Sequence, residues 1–353
     1  MQTRVLFIAD KLAADARSSR VPHAGGAELT DLAAIEACPH EIDVRRVRDV
    51  APGEVDRYDV IVVANADTAS PALLQAIART RRHTLFEHDL RSCAWRGDFP
   101  EARGLAHRVA HRCFCREERW RDLVESACGV IYLTGLQRVA YHDNPNRPRP
   151  AREVVLGSSL FSHALLDAMR ELSRSVTDRS HTAISWSPCV IKGHAVSLEH
   201  CRRAGLAVRE LRCLPYPEVL RLLSRSERLV YLPFGLEPAG RMPVEARLLG
   251  CEVVVNSHVG IAREPLWELS PAEAIASLRE APVRFWRLVA GLSDGSVAPA
   301  PALPEVPTRA AYLSAARDLA SVRRHPAVSH RWLSQAVAER ALTTRTAAPW
   351  PWP

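Results

Sequence analysis

The stretch that most limits what this chain can fold into runs from Leu229 to Gly260, LVYLPFGLEPAGRMPVEARLLGCEVVVNSHVG. It opens on four apolar residues, Leu229-Val230-Tyr231-Leu232, the length and composition of a buried strand. A loop carrying Gly235, Glu237, Pro238 and Gly240 follows. Met242 to Leu249 reads as a helix with Gly250 as its C-cap, and Cys251 to Val255 as a second buried strand. Strand, loop, helix and strand make one turn of an α/β sheet, and ligands of such sheets sit beyond the carboxyl ends of the strands, where this loop lies. The amides of Gly240, Arg241 and Met242 open the helix and present unpaired N–H groups to an anion. Glu237 stands in the loop and Glu245 about one to two turns into the helix.

The 353 residues suffice for two domains of ordinary size. Apolar residues at 47% and charged ones at 25% are ordinary for a soluble globular protein. No run approaches the ~18–20 apolar residues that span a bilayer. The first residues, from Met1 to Asp10, hold too short an apolar core for a signal peptide and read as a strand. A cytoplasmic protein is the expectation. The nine cysteines are odd in number and scattered, with no CxxC, which fits reduced thiols. A net charge of +7 admits a polyanionic partner such as DNA or an anionic membrane face. Lysine, however, occurs only at Lys11 and Lys192, and the Arg- and Ala-rich skew reads as genome composition, so charge alone does not establish such a partner.

In chain order, Arg4 to Ala9 is a continuous apolar strand, and a polar loop leads to Gly25-Gly26-Ala27-Glu28 and an amphipathic helix ending about Ala37. Two glycines at a strand–loop–helix junction let backbone amides approach a ligand closely. Strands follow near Ile42–Val47 and Val60–Ala64, a helix over Pro71–Thr80, and a strand over Thr84–Glu87 leading into His88-Asp89. The helical stretch from Arg103 to Ala127 holds His107, His111, Cys113 and Cys115, with Cys93 upstream. His-x3-His can ligate zinc, but Cys113 and Cys115 cannot both share that face, so a basic helix is preferred and no metal site is assigned. Gly129–Leu133 is a strand, Thr134–His142 a helix, Val154–Gly157 a strand and Phe161–Leu172 a helix. The polar stretch 173–179 is the candidate linker between domains.

A second domain opens with the strand Thr182–Trp186, a loop ending in Lys192-Gly193, and a helix to about Ala204. Val208–Cys213 and Tyr216–Leu223 lead into the organising unit. Ala272 to Leu292 carries two amphipathic stretches, and Val297 to Pro307 is a Pro/Ala linker to two short helices. The domains expected are 1–175, 176–296 and a helical extension over 297–353. A point charge on a flexible stem suits Lys192 to a phosphate.

Glu237-Pro-Ala-Gly-Arg-Met-Pro-Val-Glu245, followed by Leu249-Gly250-Cys251 and a β-branched strand, resembles the donor-binding unit of retaining GT-B glycosyltransferases, specifically glycosyltransferase family 4. Over about residues 4 to 290 the order of elements is similar, and four short motifs carry the likeness. It implies an α/β GT-B fold, two Rossmann-like βαβ domains facing each other across a cleft, with a C-terminal helix bracing the first. It also implies a retaining, metal-independent transfer from a nucleotide-diphosphate sugar, which serves as substrate, with no cofactor. Gly25 and Gly26 would face the donor diphosphate and sugar, and His88 the sugar. Lys192, Arg241 and the amides at Gly240 and Met242 would hold the diphosphate, Glu245 the ribose and Glu237 the sugar hydroxyls or phosphate edge. Glu87 and Asp89 are candidates for acceptor activation. One departure stands out: Ser185-Trp186-Ser187 replaces an Arg usual after that strand, a charge Arg241 could supply. No Asp-x-Asp occurs in the chain.

The acceptor expected is a cell-envelope glycan, a lipid-linked sugar, or DNA carrying a hydroxymethylated base. A nucleotide-sugar epimerase of the same fold, and a non-catalytic sugar-nucleotide or nucleic-acid binder, are the alternatives.

Overall fold

A computed structural model of the protein describes residues 3–13, 25–91, 117–142, 148–187, 192–233 and 235–297. The His/Cys stretch with Cys93, His107, His111, Cys113 and Cys115, and the extension beyond Val297, lie outside the described residues.

The first domain is a six-stranded parallel sheet. Its strands are β1 (Arg4–Ala9), β2 (Glu41–Arg46), β3 (Val60–Val63), β4 (His83–Glu87), β5 (Gly129–Tyr132) and β6 (Glu153–Val155), in the spatial order β2-β1-β3-β4-β5-β6. Interior strands such as β1 are apolar from their second residue on because both faces are covered, which removes the alternation an exposed face would impose. At the edge, β2 (EIDVRR) alternates and is only half-buried. Helices α1 (Gly26–Glu36), α2 (Pro71–Thr80), α3 (Glu117–Glu125) and α4 (Gly135–His142) connect the strands. Ser70 starts α2, its side chain accepting from the Leu73 amide at 3.2 Å, with Pro71 in the first turn where no N–H is missed.

The second domain is smaller, a four-stranded parallel sheet in the order β10-β9-β7-β8. Its strands are β7 (Thr182–Ser185), β8 (Val208–Leu211), β9 (Arg228–Tyr231) and β10 (Glu252–Val255). Helices α5 (His163–Ser175), α6 (His194–Arg203), α7 (Tyr216–Ser224) and α8 (Arg241–Leu248) surround it. Phe161, Leu166 and Met169 pack into the core of this second sheet. The packing boundary therefore falls before Phe161, a helix earlier than the polar stretch 173–179 expected to divide the domains.

The two amphipathic stretches expected between Ala272 and Leu292 form one helix, α9 (Pro271–Asp294). A capping box starts it: Ser270 accepts from the Glu273 amide while Glu273 accepts from the Ser270 amide at 2.9 Å, and Gly295 ends it in the left-handed conformation. Its first half, with Ala274 and Leu278, belongs to the second core. Its later half, with Ala281, Phe285, Trp286, Val289 and Leu292, belongs to the first. Phe285 meets Phe86 at 4.6 Å between ring centroids, and the Trp286 indole donates to the Ala34 carbonyl at 2.7 Å. One helix thus contributes to both cores, changing allegiance near Pro282. Two parallel-sheet domains sharing one long helix is the arrangement expected of a GT-B fold.

Candidate active site between the two sheets

Each sheet reverses its strand order at one place, the position where open α/β sheets bind ligands. In the first sheet the reversal lies between β1 and β3, with the start of α1 beyond it. In the second it lies between β7 and β9, with Lys192-Gly193 following β7 and the Glu237 loop following β9.

Backbone chemistry delivers Lys192 and Glu237 to one point. Gly193 has φ +68°, and a Cβ there would stand 1.8 Å from the Leu232 carbonyl oxygen, so only glycine lets this turn lie against the exit of β9. Ser197 on α6 fastens the same place, accepting from the Leu232 amide at 3.1 Å. The Glu237 loop is tied down by a bridge to Val259, its amide donating to the His258 carbonyl at 2.9 Å and its carbonyl accepting from the Gly260 amide at 2.8 Å.

The Lys192 ammonium then donates directly to a Glu237 carboxylate oxygen, which also accepts from the Tyr231 hydroxyl at 2.7 Å. The Lys192 side chain is 40% exposed. Packing around the ammonium works against its charge, but Glu237, Tyr231 and Asp89 outweigh that and raise its pKa. From the first sheet, Asp89 lies within the field of this pair. Burial pushes its carboxyl up, Lys192 and His88 pull against that, and Glu237 and Glu87 add to it. Asp89, Lys192 and Glu237 thus gather where the two domains meet.

Glu245 stands differently. It accepts from the Tyr216 hydroxyl at 2.7 Å and from Arg241 Nε at 3.2 Å, and both members of that ion pair are buried. Arg241 also donates to the Leu160 carbonyl and lies over the Phe161 ring, 4.0 Å from its centroid. Arg241 is thus a buried tie between α8 and the Leu160–Phe161 segment. Its Cδ would lie 3.5 Å from a Cβ on Gly26, so the opening turns of α1 and α8 adjoin. Met242 is half-buried in the first turn of α8, and Gly240 precedes it as N-cap. Gly25 is the N-cap of α1, and the Glu28 carboxylate lies over it, 2.5 Å from where a Cβ would be. The first-turn acid of α1 therefore lies beside the glycine that starts the helix.

His88 and Glu87 each have a protein partner. His88 is buried, with Nε2 2.7 Å from Asp31 Oδ1 on α1. Burial disfavours its charged form, yet Asp31, Asp89 and Glu28 prevail and raise its pKa. Glu87 is held by Arg91 Nε at 2.5 Å, both side chains buried, while Arg91 also donates to the carbonyls of Ala64 and Val63. That pairing sews β3 to β4.

Three partners escaped the sequence: Tyr231, Tyr216 and Asp31. Asp31 left a signal, since an acid among Thr30, Ala33 and Ala34 sits on the buried face of α1 and so needs a partner. The two tyrosines carried none beyond a polar tip on an otherwise apolar element.

Hydrogen bonds close the base of the cleft. Thr134 donates to the Pro238 carbonyl at 2.8 Å, the Gly135 amide to Glu264 at 2.7 Å, and Ser159 to the Ala239 carbonyl at 2.6 Å. A cavity of about 220 Å³ lined by Arg4, Glu41, Asp43 and Tyr58 lies at the opposite, amino ends of β1 and β2, remote from these groups. Among the described residues no cluster of three or more His, Cys, Asp or Glu is arranged to hold a metal ion, and no helix is long and apolar enough to cross a membrane.

No family model matches the sequence, and no curated protein matches it significantly. Among solved structures, the chain is similar to WaaG, a glycosyltransferase involved in lipopolysaccharide biosynthesis, at 15% identity over 88% of this chain and 99% of that one, with a TM-score of 0.46. It is similar to HepE of Anabaena in complex with UDP at 16% identity over 99% and 100%, with a TM-score of 0.44. AviGT4, a glycosyltransferase involved in avilamycin A biosynthesis, aligns at 15% identity over 83% and 96%, with a TM-score of 0.43.

Proposed function

We propose that this protein is a glycosyltransferase of family 4 type that moves a sugar from a nucleotide-diphosphate sugar to a hydroxyl acceptor, with retention and without a metal ion. The observation that carries it is the meeting of Lys192 and Glu237 at the reversal of the second sheet, opposite Asp89 of the first. Departure of a nucleotide diphosphate builds negative charge on its phosphates. A positioned ammonium in a partly dry cleft stabilises that charge, which is the largest single contribution available to such a reaction. Glu237, already hydrogen-bonded through Tyr231, is placed to exchange its bond to Lys192 for sugar hydroxyls. Asp89, its carboxyl pushed up by burial, suits the taking of a proton from an acceptor hydroxyl. With retention, the departing phosphate assists that proton transfer and no protein nucleophile is required.

We assign the nucleoside side of the donor to the opening of α8 and the acceptor to the side of the first sheet. Cell-envelope glycan, lipid-linked sugar and hydroxymethylated DNA are the acceptors proposed, met by a cytoplasmic protein. The test is mass spectrometry of products after incubating the full chain with a panel of nucleotide sugars and each acceptor class. Sugar appearing on an acceptor, or hydrolysed donor, lost in Glu237→Gln, supports transfer. A free epimer of the donor sugar, or nucleotide-sugar binding with no turnover under any acceptor, would falsify it.

A further inference from the structure

The segment that carries Glu237 leaves the second sheet and is held by the first. Strand β1 sends Leu6 and Ile8 to one face of the first sheet and Val5 and Phe7 to the other. Leu236, just before Glu237, is buried in the cluster on the Leu6 face, with Leu90 and Leu136. Ala239, two residues after it, is buried in the cluster on the Phe7 face, with Leu156 and Leu160. Three successive carbonyls of the segment each find a donor, as buried backbone groups must. That of Glu237 accepts from the Gly260 amide at 2.8 Å, within the second domain. That of Pro238 accepts from the Thr134 hydroxyl at 2.8 Å and that of Ala239 from the Ser159 hydroxyl at 2.6 Å, both bonds buried. Thr134 follows β5 and Ser159 follows β6, so both hydroxyls come from the carboxyl edge of the first sheet. The junction has no slack: a Cβ on Gly260 would stand 2.2 Å from the Pro238 carbonyl oxygen and 2.5 Å from Thr134 Oγ1. Lys192 is placed differently, by Gly193 and Ser197 against Leu232, all within the second domain.

We propose that Thr134 and Ser159 are positioning residues: their hydroxyls hold the Pro238 and Ala239 carbonyls and so fix the Glu237 carboxylate at the sugar of a bound donor. This rests on the function proposed above. The two parts of the donor are then served from different domains. Lys192 meets the diphosphate on a turn set within the second, and Glu237 meets the sugar on a loop set by the first. A buried carbonyl stripped of its donor carries the full desolvation penalty, so the loop shifts to find another partner and the carboxylate beside it moves too. In this role the two hydroxyls act through the loop and not on the substrate.

The experiment compares bare nucleoside diphosphates with nucleotide sugars on the full chain. UDP, GDP and ADP are titrated calorimetrically, and hydrolysis of UDP-glucose, GDP-mannose and ADP-glucose is followed by chromatography. The proteins are the wild type, Thr134→Val, Thr134→Ser, Ser159→Ala, Glu237→Gln and the double variant Ser159→Ala with Glu237→Gln. Ser159→Ala and Thr134→Val should keep diphosphate affinity close to the wild type while sugar release falls roughly ten- to a hundredfold, the scale on which a group misplaced by about 1 Å costs rate. Thr134→Ser keeps the hydroxyl and should keep most of the activity. The double variant should be no slower than Glu237→Gln alone, because both changes act on one contact. Circular dichroism checks that each variant folds, and Ser159→Cys, a weaker donor of similar reach, takes the place of Ser159→Ala if that chain does not. If the single variants release sugar as the wild type does, or if Ser159→Ala and Glu237→Gln multiply in the double variant, the hydroxyls are scaffold and the proposal is overturned. Diphosphate affinity that falls as far as sugar release overturns it too, as does unfolding on loss of the hydroxyl at both positions. If the wild type binds none of these nucleotides or turns over none of the sugars, the proposed function fails and this inference falls with it.

Discussion

The two glutamates of the loop–helix unit are eight residues apart in sequence and belong to one motif, yet the fold treats them differently. Glu237 pairs with a lysine that is 40% exposed, and is itself 12% exposed. Glu245 pairs with Arg241 under conditions where neither side chain exceeds 4% exposure. The first pair reaches solvent through the Lys192 side chain, so a ligand in the cleft can compete for its ammonium while Glu237 keeps its bond to Tyr231. The second is committed on several sides at once, with Tyr216, Leu160 and Phe161 completing its contacts. One motif therefore supplies a working pair in the loop and a fixed pair in the helix that holds the loop in place.

Removing one member of the buried pair should break the comparison most severely. Glu245→Ala leaves Arg241 buried without its counter-charge, and a loss of about 3–5 kcal/mol in denaturant unfolding is expected. The double variant Arg241→Leu with Glu245→Leu should recover much of that, since well-packed apolar pairs often match buried ion pairs. Recovery would mark the pair as scaffold, while a full loss in the double variant would assign the stability to the Leu160 and Phe161 contacts. Next in size comes the helix that spans both cores. Trp286→Phe keeps most of the packing and loses the bond to Ala34, for an expected cost of about 0.5–1.5 kcal/mol by the same measurement. Smallest is Lys192→Ala, which leaves Glu237 its bond to Tyr231 and should shift unfolding by clearly less than the loss of Glu245 does. A shift as large as that of Glu245→Ala would mean that the Lys192–Glu237 pair is also structural.

Much of this was legible before the structure. Buried parallel strands announce themselves as short aliphatic runs, and β1, β3, β5 and β9 fell where such runs stand. Lys192-Gly193 could be singled out because lysine is so rare here, and the geometry of Gly193 supplies the physical reason for its neighbour. What sequence could not give was partnership. The guanidinium of Arg241, one position from a helix start, looked available to phosphate. Its burial depends on Leu160 and Phe161, some eighty residues earlier. Glu87 and Asp89 are near neighbours with the same charge. Only the packing of Arg91 against β3 and β4 shows which of the two is tied to an arginine. Partnership also decides where α5 packs, because its apolar residues fit either core and only the tertiary contacts assign Leu166 and Met169 to the second.

Calorimetric titration of UDP, GDP and ADP into the full chain and into Lys192→Ala tests the central claim most directly. At least one nucleoside diphosphate should bind the wild-type protein, and the variant, equally folded, should bind it at least about tenfold more weakly, as loss of a charge-assisted phosphate contact requires. Equal affinity in the two proteins, or no binding in either, would contradict a donor-diphosphate site at Lys192.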